Sequence, residues 1–328
     1  MRILTHSFFY TAIALAVIGV IIVLSPILFS IDLIHPLRLN EKTLLLQQQQ
    51  KVASKKLMAN ETGKIFLNPQ EAGMPFQKVE FIHNDGTIIR GWYITADSTA
   101  NTSVALLHDV NEGKLAYLEL AYQLFFMGYN TLLIDMKAHG NSDGSEFGIN
   151  LGEAQQCQQY VHFLKSEKKQ QQVFIFGKGC GAAIAMLYAT MDTTLSGLLL
   201  QSPFNNFSDY IDRKIFNKFE SYTWLVQNPI KINISKKGQL PPLATLIKTI
   251  KIPVFIIMGS ADTVILPEES TAVYDSSTHP FNRIMNIKNG QHDDLEVVAG
   301  KQYYEEISSF IQLCLPKKKG SARAKQLT

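Results

Sequence analysis

Between Lys78 and Leu313, short apolar runs alternate with stretches of helical periodicity, and this alternation limits the chain to few architectures. The apolar runs are Val104–Leu107, Thr131–Ile134, Val173–Phe176, Leu198–Leu200, Val254–Met258 and Ile284–Ile287. Apolar at consecutive positions, they suit strands buried on both faces. The intervening segments, Leu115–Met127, Glu153–Lys165, Ala182–Met191, Pro267–Ser276 and Leu295–Leu313, carry the spacing of helices. Strands alternating with helices predict a mainly parallel sheet covered on both sides. Ahead of them, Lys78–His83 and Thr87–Thr95 flank the turn Asn84-Asp85-Gly86, which predicts an antiparallel hairpin at the sheet edge. The expectation is an α/β fold of about eight strands.

Residues 204–250 break the alternation and are too long for a plain loop, so a small helical cap is expected there. Its aromatics, Phe204, Phe207, Tyr210, Phe216, Phe219, Tyr222 and Trp224, suit either a pocket lining or ordinary core. At the other end, Phe8 to Phe29 contains no charged residue. That run reaches the ~20 residues a bilayer-spanning helix needs, and Ser25–Ser30 offers no small-x-small cleavage site, which favours a retained single-pass transmembrane helix over a signal peptide. Arg2 lies on one side and Arg38 and Lys42 on the other, so flanking charge does not orient it. The reading divides the chain into an anchor (1–31), a linker (32–75), an α/β domain (76–314) and a basic tail (315–328).

Composition excludes several functions. A net charge of +3 in 328 residues, with no basic helix interleaved with aromatics, argues against nucleic-acid binding. Cys157, Cys180 and Cys314 form no C-x-x-C pair, so no metal site is expected. No dinucleotide fingerprint is present, and no Lys-Ser/Thr follows the glycines near Gly179, so no phosphate loop and no cofactor are expected.

Five motifs remain. Leu106-Leu107-His108-Asp109-Val110 follows a strand. Gly128 to Gly144 runs from a strand into Asp135-Met136-Lys137-Ala138-His139-Gly140-Asn141-Ser142-Asp143-Gly144. Val173-Phe174-Ile175-Phe176-Gly177-Lys178-Gly179-Cys180-Gly181 joins a strand to a helix of small residues. Ile252 to Pro267 holds Asp262 after a strand, and Asn289-Gly290-Gln291-His292 follows the last strand. In this order they resemble the α/β-hydrolase superfamily, especially its membrane-anchored serine-hydrolase branch, over about Lys78 to Leu313. The resemblance implies that Asp262 is the triad acid and His292 the general base, with the amides of Val110 and Cys180 forming the oxyanion hole. The nucleophile position falls on Gly179, because G-x-G-x-G stands where the family has G-x-S-x-G. Asp109 also departs from the family's glycine, and a carboxylate there opposes a developing oxyanion.

Two residues stand as candidate substitutes for the serine. Ser142 matches G-x-S-x-G by letter, but no strand precedes it and no helix follows. Cys180 sits at a helix N-terminus that can activate a thiol, yet one residue along its side chain is expected to point away. His108 and His139 are read as structural. The glycine at 179 is expected to leave room for a water or a ligand carboxylate. Three functions follow: a degenerate hydrolase serving as a binding or interaction module at a membrane, with an apolar acyl or lipid-like ligand; an enzyme using the Asp262–His292 pair on water or substrate; or a hydrolase with another nucleophile.

Overall fold

The computed structural model describes residues 9–21, 24, 28, 66–83, 85–219, 223 and 240–316. One sheet holds β1 (Phe76–Ile82), β2 (Ile88–Ile94), β3 (Thr102–Leu107), β4 (Asn130–Asp135), β5 (Gln172–Lys178), β6 (Gly197–Gln201), β7 (Val254–Gly259) and β8 (Arg283–Ile287). Their order is β1-β2-β4-β3-β5-β6-β7-β8. β2 is antiparallel to β1 and to β4, and the remaining pairs are parallel. The helices within the domain are α1 (Leu118–Phe126), α2 (Leu151–His162), α3 (Cys180–Ala189), α4 (Phe207–Phe219), α5 (Leu243–Leu246), α6 (Pro267–Asp275), α7 (Leu295–Ala299) and α8 (Lys301–Cys314).

Both faces of the sheet are buried, which explains the unbroken apolar runs. Ala105, Leu107, Ile175, Leu198, Leu200 and Ile256 pack with Ala154 and Cys157 of α2 and with α3. Their neighbours Val104, Leu106, Phe174, Phe176, Leu199 and Phe255 face the other way, against Leu120 and Leu124 of α1 and Ile307 and Phe310 of α8. Each buried Val, Leu, Ile or Phe side chain contributes about 1.5–3 kcal/mol by leaving water.

Three boundaries differ from expectation. α2 begins at Leu151 because the Asn150 side chain accepts from Glu153 N–H at 3.1 Å and caps it. The single helix expected over Leu295–Leu313 is two, separated at Gly300 with φ +57°. Residues 66–75, read as the linker's end, belong to the packed domain: Met74 is 1% exposed, and Phe66, Leu67 and Ala72 rest on the core.

The cap expected over 204–250 contains α4 and α5; residues 220–222 and 224–239 lie outside the described residues, with Tyr222 and Trp224 among them. Phe204 and Tyr210 are buried and stacked at 5.3 Å, so they serve as core, whereas Phe216 is exposed. Residues 9–21 are helical and expose Phe9, Tyr10, Leu15 and Ile21. Among the described residues no helix is long and apolar enough to cross a membrane; positions 1–8 and most of 22–31 of the expected anchor, residues 32–65 and the tail from 317 lie outside them.

The strand order places the site. From β3 the chain turns to β4 on one side, while β5 lies on the other, with Leu107 paired to Gly177. Such a reversal opens a crevice beyond the strand ends in parallel sheets. Here it brings His108-Asp109-Val110 against Lys178-Gly179-Cys180.

Candidate functional site

Gly179 occupies the turn from β5 into α3 with φ +50° and ψ −110°. Its flanking glycines are fixed by close approach: a Cβ on Gly177 would lie 2.5 Å from Gly181 O, and one on Gly181 2.4 Å from Leu107 O. At Gly179 itself the obstacle is a side chain. A Cβ there would fall 2.4 Å from Asp109 Cγ and 2.5 Å from each of its carboxylate oxygens. The space expected to be open for a water or a ligand carboxylate is thus filled by the protein's own carboxylate.

Asp109 is fully engaged. Its Oδ1 accepts from Val110 N–H and from Cys180 N–H, each at 2.8 Å. Its Oδ2 lies 3.1 Å from His292 Nε2. On the opposite side of the ring, His292 Nδ1 lies 2.9 Å from Asp262 Oδ2. Asp262 is held in turn by Val264 and Ile265 N–H, each 2.8 Å from Oδ1, and by the Ser202 hydroxyl at 3.1 Å from Oδ2. Asp109, Asp262 and His292 are all buried.

Electrostatics follow from this packing. Burial alone would lower the His292 pKa, but hydrogen bonds to Asp109 and Asp262 outweigh it and hold it up at about 9. Both ring nitrogens donate, and the ring is an imidazolium at neutral pH. Burial would raise the Asp109 pKa; the hydrogen bond and charge of His292 overcome it and hold the carboxyl well below the usual range. The Cys180 thiol, expected to point away, in fact lies beside Asp109 and Tyr210. Burial, then the Asp109 charge, pushes it well above an ordinary thiol, so the helix N-terminus does not activate it.

A further set of charges braces the loops. Asp109 N–H donates to Glu112 Oε2 at 3.1 Å, and Lys178 Nζ bridges Glu112 Oε1 and Asp293 Oδ1 at 2.6 Å each. Burial works against the Lys178 charge, and Glu112 and Asp293 more than restore it. His108 accepts from Met136 N–H at 2.9 Å and donates to Asp109 O at 2.7 Å. His139 accepts from Asn111 N–H at 3.2 Å. Both histidines pin backbone, as read from the sequence. Ser142 is buried in a loop, donating to Asp135 O at 2.5 Å and accepting from Arg90 N–H at 2.8 Å, away from the site.

The fold is similar to that of known proteins. A family profile described as serine aminopeptidase, S33, matches residues 98–237, which include Gly179 but end before Asp262 and His292. Among solved structures, the Pyrococcus furiosus esterase Pf2001 superposes with TM-score 0.66 at 21% identity, over 79% of this chain and 96% of that one. The α/β hydrolase GrgF from Penicillium gives TM-score 0.58 at 15% identity, over 73% and 98%. This chain has the α/β-hydrolase fold.

Sequence relatives with names are distant. The uncharacterized membrane protein YNL320W of Saccharomyces cerevisiae is 22% identical over 248 residues, 74% of this chain and 82% of that protein. YfhR of Escherichia coli K12, also uncharacterized, is 26% identical over 246 residues, 72% and 80%. Against the α/β-hydrolase pattern, the chain brings Gly179, His292 and the amides of Val110 and Cys180 together around Asp109, with Asp262 on the far side of the His292 ring. Sequence reasoning marked Asp109 as a departure but missed that it fills the site. It also missed Glu112, Lys178 and Ser202 as supports, and Tyr210 with Lys214 on α4 as neighbours of Asp109.

Proposed function

We propose that this chain is a degenerate α/β-hydrolase, closed by its own carboxylate, that works as a binding or interaction module at a membrane. The observation that carries this reading is the position of Asp109 in the space of the missing side chain. Three requirements of acyl transfer fail together there. No nucleophile stands at 179; in a comparable enzyme, losing the serine costs ~10⁶ in kcat. The two amides already hold a negative oxygen, so a developing oxyanion finds no free donor. His292 is held as an imidazolium between two carboxylates and has no lone pair with which to take a proton. That last point also counts against a non-hydrolytic enzyme using the Asp262–His292 pair, and the environments of Ser142 and Cys180 count against another nucleophile.

The membrane part of the reading rests on the uncharged run from Phe8 to Phe29 and on the exposed apolar side chains of residues 9–21. An apolar acyl or lipid-like ligand fits that location.

The test is turnover of esters of graded chain length by full-length protein as wild type, Gly179→Ser and the double variant Asp109→Gly with Gly179→Ser. Wild type is expected to be inert. Gly179→Ser alone stays inert, because the new side chain meets Asp109. The double variant gains measurable hydrolysis, since it restores a hydroxyl beside His292 and frees both amides. Ester turnover by wild type that disappears in His292→Ala would refute the proposal.

A further inference from the structure

Asp109 is a tethered ligand as well as an obstruction, and its contacts define what the site accepts. One carboxylate oxygen takes two backbone amides and the other takes an imidazolium. None of those three donors depends on the tether: any carboxylate of the same size meets the same partners at the same distances. A second observation comes from α4. The Tyr210 hydroxyl is buried and faces only the Cys180 thiol, a weak partner, with Asp109 nearby. The site therefore carries one donor that its present occupant does not use. Lys214, one turn further along α4, sets its ammonium over the Tyr210 ring at 5.3 Å and favours the charged form of Asp109.

We propose that the pocket beside Gly179 is a receptor for free monocarboxylates, held shut by Asp109, which swings toward Tyr210 and Lys214 when a ligand carboxylate takes the two amides and His292. This rests on the non-hydrolytic reading above and names its ligand chemistry. The exchange conserves charge, since one carboxylate replaces another over the imidazolium. The displaced Asp109 gains the unused hydroxyl and a cation. On this side Phe207 is half-buried against the buried rings of Phe204 and Tyr210, and it is the ring a ligand tail would meet. A tether makes Asp109 an internal competitor at millimolar or higher effective concentration, and ligand affinity is reduced by the fraction of molecules in the open state.

The experiment is calorimetric titration of full-length protein with sodium formate, sodium decanoate and, as an uncharged control, methyl decanoate. Asp109→Ala is expected to bind the carboxylates roughly tenfold more tightly than wild type or better, because the competitor is gone. Preference for decanoate over formate identifies a fatty acid as the ligand; equal binding per carboxylate identifies a small acid. Tyr210→Phe weakens binding to wild type more than to Asp109→Ala, since only wild type needs the hydroxyl to receive Asp109. If Asp109→Ala binds no more tightly than wild type, or takes methyl decanoate equally well, the proposal is overturned. Should Asp109→Ala prove too unstable to titrate, formate must raise its melting temperature by more than it raises that of wild type; an equal or absent shift also overturns the proposal. Ester turnover read in the same samples separates the two ideas. Carboxylates that fail to bind an inert protein sink only this one, whereas turnover sinks the reading beneath it.

Discussion

At position 179 even a methyl group is too large, because its carbon would lie 2.4 Å from Asp109 Cγ on a backbone with φ +50°. Overpacking of this kind costs about 1–3 kcal/mol, and Gly179→Ala is expected to lose at least that in urea unfolding. Asp109→Gly should recover most of the loss, giving a double-mutant coupling of about 1 kcal/mol or more between the two positions; additive effects would show that they do not share one space. The buried ring makes a second prediction at this scale. The folded-state pKa of His292 is raised to about 9, so its contribution to stability is complete below ~6.5 and is lost as pH rises through about 9. The Asp109 pKa is depressed, so its contribution is present above ~3.9 and lost as pH falls below that. Asp109→Asn keeps an acceptor for the amides but removes the charge, and nuclear magnetic resonance titration should find the His292 pKa lowered. The five motif residues were legible in the chain order of the sequence, and Asp109 was legible as an anomaly. Its destination was not, because Asp109 and Cys180 are 71 positions apart and meet only through the reversal that sets β3 beside β5.

Among elements, the strand–turn–helix unit of β5 and α3 is the tightest junction. Gly181 brings the start of α3 onto the end of β3, where an added Cβ would stand 2.4 Å from Leu107 O. Backbone does not yield as a flexible side chain does, so Gly181→Ala is expected to destabilise by about 1–3 kcal/mol or more, measurable as a fall in the urea midpoint at unchanged m-value. Lys178 binds the same junction to the loops carrying Glu112 and Asp293. Lys178→Met leaves Glu112 buried without its cation, and removing one partner of a buried pair costs about 3–5 kcal/mol; the exposure of Asp293 places the expected loss at the lower end. The central strands β3 to β7 could be read from sequence because burial on both faces leaves a plain apolar signature, whereas β1 and β2 were read from the turn between them. The helix ends were less legible. The break at Gly300 depends on one left-handed residue within a continuous apolar pattern, and the start of α2 depends on the Asn150 cap.

For the molecule as a whole, the sheet and its helices make one packed body that includes residues 66–75, and the uncharged segment lies earlier in the sequence. On the proposed membrane reading, deleting residues 1–40 is expected to release the protein from a washed membrane fraction. Retention of the truncated protein on membranes would assign the attachment to the domain itself. The anchor expected over 1–31 lies partly outside the described residues, and among those described no helix is long and apolar enough to cross a membrane. The mutual exclusion of side chains at 109 and 179 has a bearing on the history of such a chain. A serine returning first to 179 collides with the carboxylate, and a glycine returning first to 109 leaves an unused hole over a buried imidazolium. On the proposed reading, each single reversion meets this obstacle alone, so a return to ester chemistry at this site requires both changes together.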